Sequence, residues 1–442
     1  MKFIKIFVLC VLLGSLFTSC KPSDKKTIHK KIKQDTDEIF DRLVQIRRDF
    51  HQHPELAGNE KRTSKIIADY LSNIGLEVTT NFSGNAVVGV LKGGKEGKSI
   101  AWRADMDALP NNFPDEVAYS SKVAGVQHGC GHDVHMAIGL GIATVLAKNK
   151  EAVQGTIYFI FQPEEETFVG AKNIVQSSLF SKINLDEVYA LHVTALPVAQ
   201  IMVKPNEIYT YQKRIQLTFD NTLEKKDAAT LYAQIRSQML RKKTGGNPWE
   251  IPMAFDATSG LNNPNTIFKD YLFLEENVVV ESDEQQLYLR AYLYETDASN
   301  LEHIVPKIEA IISNSIHKEK FISASYIQEN PTVLNEEALT TQAVQTLSNI
   351  YGTDTVVKAY GQIPYFNDDF YYFQQRTPGV YFLLGGSNIE KGIHAMNHAP
   401  NFGVDEECIR VGVSAFSSLL FERAQKEVNH SSIPAPSTTP DR

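Results

Sequence analysis

Residues 155–166, GTIYFIFQPEEE, consist of an apolar run of strand length followed by a proline and three glutamates. Further apolar runs of similar length are separated by helical patterns; they are NAVVGVLKGG (85–94), KSIAWRADMD (98–107), EVYALHV (187–193) and GVYFLLGG (379–386). Short apolar strands that alternate with helices are typical of an α/β domain with a largely parallel sheet. We therefore predict an α/β domain built on a mostly parallel sheet.

The pattern of predicted strands and helices changes between residues 206 and 328. Strand and helix patterns follow one another there in the order β-α-β-β-α-β, which is typical of a ferredoxin-like sandwich. We predict a ferredoxin-like α+β domain inserted into the first one. The insertion divides the α/β domain into residues 36–205 and 329–427.

Composition limits the class of protein. The chain has 442 residues, with 44 Lys+Arg against 52 Asp+Glu and a net charge of −8. A hydrophobic content of 43% and a charged content of 22% are ordinary for a globular protein. These values exclude a disordered, collagen-like or polytopic membrane protein, and the acidic balance argues against a nucleic-acid partner.

The first 20 residues, MKFIKIFVLCVLLGSLFTSC, are typical of an export signal. The apolar stretch 6–17 is shorter than the roughly 20 residues that span a bilayer, but it suits the core of a signal peptide. The sequence before Cys20 resembles a bacterial lipobox, so we predict a signal peptide (1–19), a lipid-anchored tether (20–35) and a location at a bacterial membrane, periplasmic or at the cell surface. A plain signal peptide with an incidental cysteine is the alternative.

The sequence also predicts a disordered tail and no disulfide framework. The tail at 428–442, VNHSSIPAPSTTPDR, is rich in Ser, Pro and Thr and is predicted to be disordered. Besides Cys20, only Cys130 and Cys408 remain after cleavage, so no disulfide framework is predicted.

Histidine, cysteine and acidic residues cluster beside the predicted strand ends. The segments are RADMD (103–107), HGCGHDVH (128–135), QPEEE (162–166), ALHV (190–193) and NHAPNF (397–402). Sites in open α/β sheets gather beyond the carboxyl ends of the strands, so we expect these segments to converge. Together they supply enough nitrogen, oxygen and sulfur donors for one or two transition-metal ions.

Each segment taken singly has a plainer interpretation. A lone histidine is usually a surface or satisfied core residue, Cys130 alone would be a buried small hydrophobe, and a run of glutamates is usually a solvated loop. The joint pattern favours a metal site, because Glu165 and Glu166 follow an apolar strand too closely for a solvated loop. With one carboxylate on a metal, its neighbour is free to act as a base.

These segments also resemble a known family. From residue 40 to 425, the chain carries in order RRDFHQHPEL, WRADMDALP, HGCGHDVHMA, FQPEEE, ALHV, NDDFYYF and NHAPNF. They are similar to successive signatures of the M20 metallopeptidases, and most similar to the N-acyl-amino-acid amidohydrolases, which include hippurate and auxin-conjugate hydrolases. The resemblance implies a catalytic α/β domain with an inserted ferredoxin-like lid, often used for dimerisation.

The resemblance also implies roles for individual residues. Glu165 aligns with the family's general base, and the metal ligands would be Cys130, His132, Glu166, His192 and His398. They would hold two divalent ions, Zn²⁺ or Mn²⁺, with Co²⁺ or Ni²⁺ as alternatives.

Two aspartates match a His-x-Asp pattern in relatives, whose histidine binds a metal. Asp105 stands at the position of that histidine, and Asp107 at the position of the aspartate, which in relatives orients the metal ligands. Asp107 is therefore predicted to orient a metal ligand and support catalysis. The role of Asp105 stays open, and Asp133 and His135 receive no role.

The lid departs from the family pattern. Relatives carry a Gly-Gly-His-Ala type loop whose histidine reaches the active site, but residues 217–231, LTFDNTLEKKDAATL, contain no histidine. Relatives also carry an arginine that binds the substrate carboxylate, and Tyr294 aligns with it. The substrate-binding half is therefore expected to be altered.

The predicted function is a metal-dependent amidohydrolase that cleaves N-acyl amino acids or small peptides with a metal-activated water. The alternative is a non-catalytic or weakly catalytic metal-containing lipoprotein that binds the same compounds. The predicted partners are this small substrate and a second copy of the chain bound through the lid, with no nucleic acid and no membrane contact beyond the lipid anchor.

Overall fold

The computed structural model describes residues 22–256 and 258–425. The predicted signal peptide, Cys20 and the tail at 428–442 lie outside these ranges. Across the described ranges, every helix is too short or too polar to cross a bilayer.

The helices occur mostly in the larger domain, and two belong to the inserted one. In the described ranges they are α1 (Pro22–Gln52), α2 (Lys61–Asn73), α3 (His132–Lys148), α4 (Gly170–Gln176), α5 (Lys225–Met239), α6 (Leu301–Ser313), α7 (Glu337–Tyr351), α8 (Tyr371–Gln374) and α9 (Glu407–Arg423).

The strands form two large sheets and two short ribbons. They are β1 (Glu77–Thr79), β2 (Val87–Lys92), β3 (Lys95–Asp105), β4 (Leu109–Pro110), β5 (Val126–Gln127), β6 (Gln154–Gln162), β7 (Glu187–Pro197), β8 (Ile201–Val203), β9 (Asn206–Glu207), β10 (Tyr211–Asp220), β11 (Leu272–Leu274), β12 (Val279–Ser282), β13 (Gln286–Glu295), β14 (Phe321–Glu329), β15 (Leu334–Asn335), β16 (Val356–Lys358) and β17 (Gly379–Ser387).

The larger sheet has the order β1-β2-β6-β3-β7-β17-β8-β16. Its central strands β6, β3, β7 and β17 are parallel, while β2 and β8 pair antiparallel to this centre. Strand β17 is buried along its whole length, as expected where both faces of a parallel sheet are covered. The predicted α/β domain is confirmed, and the carboxyl ends of the parallel strands meet at one edge.

Helix α3 begins at this edge and packs closely against the sheet. A Cβ atom at Gly139 would lie 3.1 Å from the Phe161 ring of β6, and one at Gly141 would lie 2.5 Å from Val413 of α9. Side chains at these positions would push the helix outward, so the glycines keep α3 close to its neighbours. The close packing fixes the amino end of α3, where His132 lies, beside the strand ends.

The inserted domain is the predicted ferredoxin-like lid. Its sheet has the order β11-β13-β10-β14, with β12 also on β13, and α5 and α6 cover one face. The sheet runs from Tyr211 to Glu329, close to the predicted bounds of 206–328. Strand β9 instead pairs with β15, outside the lid sheet.

The predicted tether differs from the structure. From Pro22 onward its described part belongs to α1, and Ile32 is fully buried in the same core as Leu43. Lysines made this segment look like a solvated linker, but Ile28, Ile32 and Ile39 follow a helical spacing on one face. The packed part of the domain therefore begins before the predicted boundary at residue 36.

Candidate metal centre

The predicted ligands come from four separate parts of the larger domain. Cys130 and His132 lie at the amino end of α3, Glu166 follows β6, His192 lies in β7, and His398 lies in the loop after β17. These positions meet at the carboxyl edge of the parallel strands, as open α/β sheets arrange their sites.

The Sγ atom of Cys130 lies at the centre of this cluster. It is 3.3 Å from Nε2 of His192 and 3.1 Å from Nε2 of His398. The same His398 nitrogen lies 3.2 Å from Oε1 of Glu166. Two sets of ligand atoms, Cys130 with His132 and His192 and Cys130 with Glu166 and His398, each fall within 4.8 Å. The structure therefore brings the predicted ligands together, with the sulfur common to both sets.

The imidazole of His132 is oriented for a cation. Its Nδ1 donates to the carbonyl oxygen of Asp107 at 2.8 Å, which directs Nε2 toward Glu165 at 3.8 Å and Glu166 at 3.9 Å. That Nε2 atom is buried and has no hydrogen-bond partner in the described chain. Because a buried unpaired nitrogen is costly, its place among carboxylates and a thiol fits a metal ion.

His192 is oriented in the same way. Its Nδ1 donates to the carbonyl oxygen of Val193 at 2.8 Å, so Nε2 presents its lone pair toward Cys130. A metal-binding histidine usually donates its other ring N–H to a carbonyl or carboxylate, because this fixes the tautomer and the ring.

The loop that carries His398 is held by its neighbour Asn397. The Asn397 side-chain amide donates to the carbonyl oxygens of Cys130 and Val193, each at 2.9 Å. The backbone of His398 has a φ of 60°, which is uncommon for a side-chain-bearing residue. These bonds keep the His398 ring beside Cys130, although 268 positions separate the two residues in sequence.

The cluster carries an excess of negative charge. Burial, followed by Glu166 and Glu165, raises the pKa of the Cys130 thiol well above its usual value. Burial would lower the pKa of His132, but Asp105, Asp107 and Glu166 outweigh it and raise that pKa to about 10. The buried carboxylates disfavour a thiolate and favour an imidazolium. A divalent cation at this site would offset their negative charge and stabilise the folded protein.

Glu165 lies beside the donor cluster, almost fully buried. Burial and the neighbouring Asp368, Glu166 and Asp369 carboxylates raise its pKa well above the usual value. It also lines a cavity of about 300 Å³ in front of the cluster. A carboxyl group between the donors and an open cavity can exchange a proton with a molecule in that cavity.

Asp107 supports two of the predicted ligands. Its carbonyl oxygen holds His132, and its carboxylate accepts a hydrogen bond from the backbone N–H of Glu166 at 3.0 Å. These contacts agree with the orienting role predicted for Asp107.

Asp105 is embedded in an ion-pair network. It lies 2.6 Å from Nη1 of Arg103 and 2.6 Å from Nδ1 of His135, and His135 Nε2 accepts from the Val193 backbone N–H at 2.9 Å. Asp105, His132 and His135 form a further set of close donor atoms. His135, for which no role was predicted, therefore belongs to the wall of the centre.

Arg103 was also missed by sequence reasoning. Its fully buried guanidinium lies 3.0 Å from Asp368 and 3.1 Å from Asp369, in addition to its contact with Asp105. The RADMD motif contains Arg103, and the NDDFYYF motif contains both aspartates. Neither motif indicates that these side chains are in contact in the folded chain. Asp133, in contrast, pairs with Arg47 at 2.8 Å and His51 at 2.8 Å on the other side of α3.

The lid contributes uncharged side chains to the cavity. Gln212, Tyr292 and Gln328 line it, and Tyr292 donates to Gln328 at 3.2 Å. Tyr294, which aligns with the family's arginine, is instead buried and donates its hydroxyl to Glu275 at 2.7 Å. Among the described residues that line the cavity there is no lysine or arginine.

Gly131 makes the turn between two predicted ligands, with a φ of 95°. A Cβ there would lie 2.4 Å from Val193, so we expect Gly131→Ala to lower the free energy of unfolding by about 2–4 kcal/mol through strain and overpacking. Urea denaturation measures this. Gly129→Ala is the matched control, because its Cβ would meet nothing closer than 3.5 Å. Equal stability of the two variants would contradict the role given to Gly131.

Comparison with known proteins agrees with this geometry. The fold and its donor cluster are those of a metallohydrolase, and the chain belongs to peptidase family M20/M25/M40, whose model matches residues 101–422. The chain is 32% identical to thermostable carboxypeptidase 2 of Saccharolobus solfataricus, over 90% of this chain and 99% of that protein. It is 27% identical to N-acetylcysteine deacetylase of Bacillus subtilis, over 86% of this chain and 96% of that protein.

Among solved structures, the fold is similar to that of the Bacillus subtilis YXEP protein, described as a dinuclear metal binding peptidase from the M20 family. The TM-score is 0.69 at 24% identity, covering 88% of this chain and 99% of that one. Family membership confirms the predicted enzyme class, a metal-dependent hydrolase that acts on amide bonds.

Proposed function

We propose that this protein hydrolyses the amide bond of N-acyl amino acids or small peptides, using two divalent metal ions. The observation that carries the proposal is the Cys130 sulfur shared between two sets of donor atoms, with the Glu165 carboxyl group beside them. The N-acetylcysteine deacetylase and carboxypeptidase relatives support this substrate class, and the dinuclear YXEP structure supports the pair of ions.

The proposed ligands divide into two sets. Cys130 belongs to both, His132 and His192 complete one, and Glu166 and His398 complete the other. Zn²⁺ is favoured by the sulfur and imidazole donors, while the carboxylate also suits Mn²⁺, Co²⁺ or Ni²⁺.

The proposed reaction adds water across the amide bond. Two divalent ions held by these donors would lower the pKa of a water molecule and polarise the substrate carbonyl. Glu165 accepts a proton from the attacking water as its oxygen bonds to the carbonyl carbon. The carbon–nitrogen bond then breaks, and Glu165 returns the proton to the leaving nitrogen, giving a carboxylic acid and an amine.

The lid's role in the proposed reaction is to hold the substrate by neutral hydrogen bonds. Gln212 and Gln328 of the lid, and Asn330 directly after it, line the cavity, and their carboxamides can both donate to and accept from an amide. This set replaces the histidine and arginine expected from the family pattern.

We also propose that the chain is an exported lipoprotein, and that it pairs with a second copy through the lid. The support for export is the sequence of residues 1–20, and the support for dimerisation is the resemblance to the family. Metabolic labelling with a radioactive fatty acid tests the first proposal, because Cys20→Ala is expected to abolish label on this protein. Sedimentation of the purified chain tests the second.

Metal removal tests the hydrolase directly. The purified full chain is expected to carry metal, to cleave at least one compound in a panel of N-acyl amino acids and dipeptides, and to lose turnover after chelation. Adding back Zn²⁺ or Mn²⁺ is expected to restore it. Bound metal without turnover across the panel would favour the substrate-binding alternative, and a chain that takes up no metal would contradict both.

A further inference from the structure

A second cavity lies beside the segment that leads to Cys130. Its volume is about 420 Å³, within the roughly 300–1,000 Å³ usual for small-molecule sites. His51, Asp115 and residues 127–129 line it together with residues 399–403. None of the described residues that line the 300 Å³ cavity in front of the metal centre, the reaction cavity, also lines this one. We call the second space the rear cavity.

Two chain segments separate the rear cavity from the reaction cavity. Gly129 and Ala399 line the rear cavity, while their chain neighbours Cys130 and His398 line the reaction cavity. The two segments are joined, because the backbone N–H of His398 donates to the carbonyl oxygen of Gly129 at 3.0 Å. A molecule in the rear cavity would therefore contact the segments that place two of the proposed metal ligands.

His128 is a buried imidazole that lines the rear cavity. The residue is 2% exposed, and within the described chain neither Nδ1 nor Nε2 has a hydrogen-bond partner. Buried polar side chains are nearly always bonded, because an unbonded one has lost its contacts with water without replacement. One nitrogen of a neutral imidazole accepts a hydrogen bond and the other donates one. His128 is therefore a group to which a ligand in the rear cavity would bond.

The charged groups of the rear cavity favour a cation. His51 donates to Oδ2 of Asp115 at 3.1 Å and to Asp133 at 2.8 Å, so two carboxylates share one imidazole. The Ser121 backbone N–H also donates to Oδ2 of Asp115, which leaves Oδ1 for another donor. Burial would raise the pKa of Asp115, but these bonds lower it, so Asp115 is ionised at neutral pH. Glu116 adds a carboxylate, and no described residue lining this cavity is a lysine or arginine.

An organic cation fits the rear cavity better than a metal ion. Across the described residues, none of the sets of three metal-donor atoms within 4.8 Å of one another includes His128 or Asp115. A molecule with an ammonium group can reach acceptors that lie further apart. Pro114, Ile393 and Phe402 also line the cavity and offer apolar surface to a carbon skeleton.

We propose that the rear cavity binds a small organic cation, an amine with an apolar skeleton. The ammonium group donates to Asp115 and His128, and the skeleton packs on Phe402. The Phe402 ring lies 3.1 Å from the position of a Cβ atom added at Gly131, so it packs on the turn between two proposed metal ligands. An occupant is therefore expected to hold this turn and the His398 loop in place and to slow the loss of metal.

Calorimetry on the purified full chain tests the inference with 2-phenylethylamine and 2-phenylethanol, which differ only in the terminal group. The amine is expected to bind at least about tenfold more tightly, because charge-assisted hydrogen bonds are roughly twice as strong as neutral ones. It is also expected to slow the transfer of bound Zn²⁺ to a chelator at least about fivefold, the lower end of the usual coupling between two sites. Neither measurement needs turnover, so failure of the hydrolase proposal leaves the test in place.

Two variants locate the binding. His128→Leu removes an imidazole that has no hydrogen-bond partner in the described chain, and Asn401→Lys adds a competing ammonium group at an exposed position of the lining. Each is expected to weaken amine binding at least about tenfold and to remove the effect on Zn²⁺ release. Asn401→Lys keeps the test decisive if His128→Leu does not fold. Asn173→Lys, at an exposed position on α4 that lines neither cavity, is the matched control.

Equal affinity for the amine and the alcohol would overturn the inference, as would undiminished amine binding in Asn401→Lys. Amine binding that depends on these residues but leaves Zn²⁺ release unchanged would contradict the coupling to the metal centre. A chain that takes up no metal, yet binds the amine through these residues, would contradict the hydrolase proposal alone.

Discussion

Replacing Glu165 by glutamine is expected to lower kcat about 10²–10⁴-fold, the usual contribution of a positioned general base. Glutamine has the same shape but cannot accept and return a proton. The three carboxyl groups of Glu165, Asp368 and Asp369 lie within 4.8 Å of one another and are buried. Burial and the neighbouring carboxylates already disfavour a charge on Glu165, and glutamine is always neutral, so we expect Glu165→Gln to unfold at the same temperature as the wild type or higher.

The control for this variant is its neighbour. The Glu164 carboxylate points toward Gly58 and Gly84, where added Cβ atoms would lie 3.5 and 3.4 Å from its oxygens, and it belongs to none of the donor sets. We therefore expect Glu164→Gln to keep most of the activity. Steady-state kinetics, metal analysis and thermal melting distinguish the outcomes. Normal turnover in Glu165→Gln, with metal bound, would remove this residue from the role of base.

Replacing Cys130 by alanine is expected to weaken metal binding by at least about 10²-fold and to remove turnover with it. Even residues that only support a ligand alter affinity by about 10–100-fold, and the Cys130 sulfur is common to both donor sets. Elemental analysis after gel filtration and competition with a chelator measure the loss.

The second buried cysteine provides the control. Cys408 is fully buried in the core, and its thiol belongs to none of the donor sets in the described chain. Cys408→Ala is therefore expected to keep the metal content and turnover of the wild type. Full metal content in Cys130→Ala would show that its sulfur is not a ligand.

The charged side chains around the metal centre come from segments that are far apart in the sequence. Arg103 and Asp105 are two residues apart on β3, yet they join a network with Asp368 and Asp369 from far along the chain. The sequence alone left the role of Asp105 open, because the motif shows a carboxylate but not its buried cation. His135 was missed for the same reason, since only the folded chain places it against Asp105 and the Val193 backbone.

The sequence also does not predict which lid side chains face the reaction cavity. The order of its strands and helices follows from periodicity, but which tyrosine of β13 faces the substrate does not. Tyr292 lines the reaction cavity, while Tyr294, two residues further on, is buried against Phe273 and Tyr365. Both positions satisfy the alternation of a strand, so only the packing of the lid against the larger domain separates them.

The amino-acid sequence by itself determined the apolar strands, the inserted lid and the chemical types of the metal donors, because these depend on local periodicity and on residue identity. It misjudged the start of the domain, where helical spacing was hidden among lysines. Only the tertiary structure decided that one sulfur lies in two donor sets, that Gln212 and Gln328 of the lid line the cavity, and that Arg103 joins Asp105 to Asp368 and Asp369. Those features are distances between segments hundreds of residues apart, and packing, not local sequence, sets such distances.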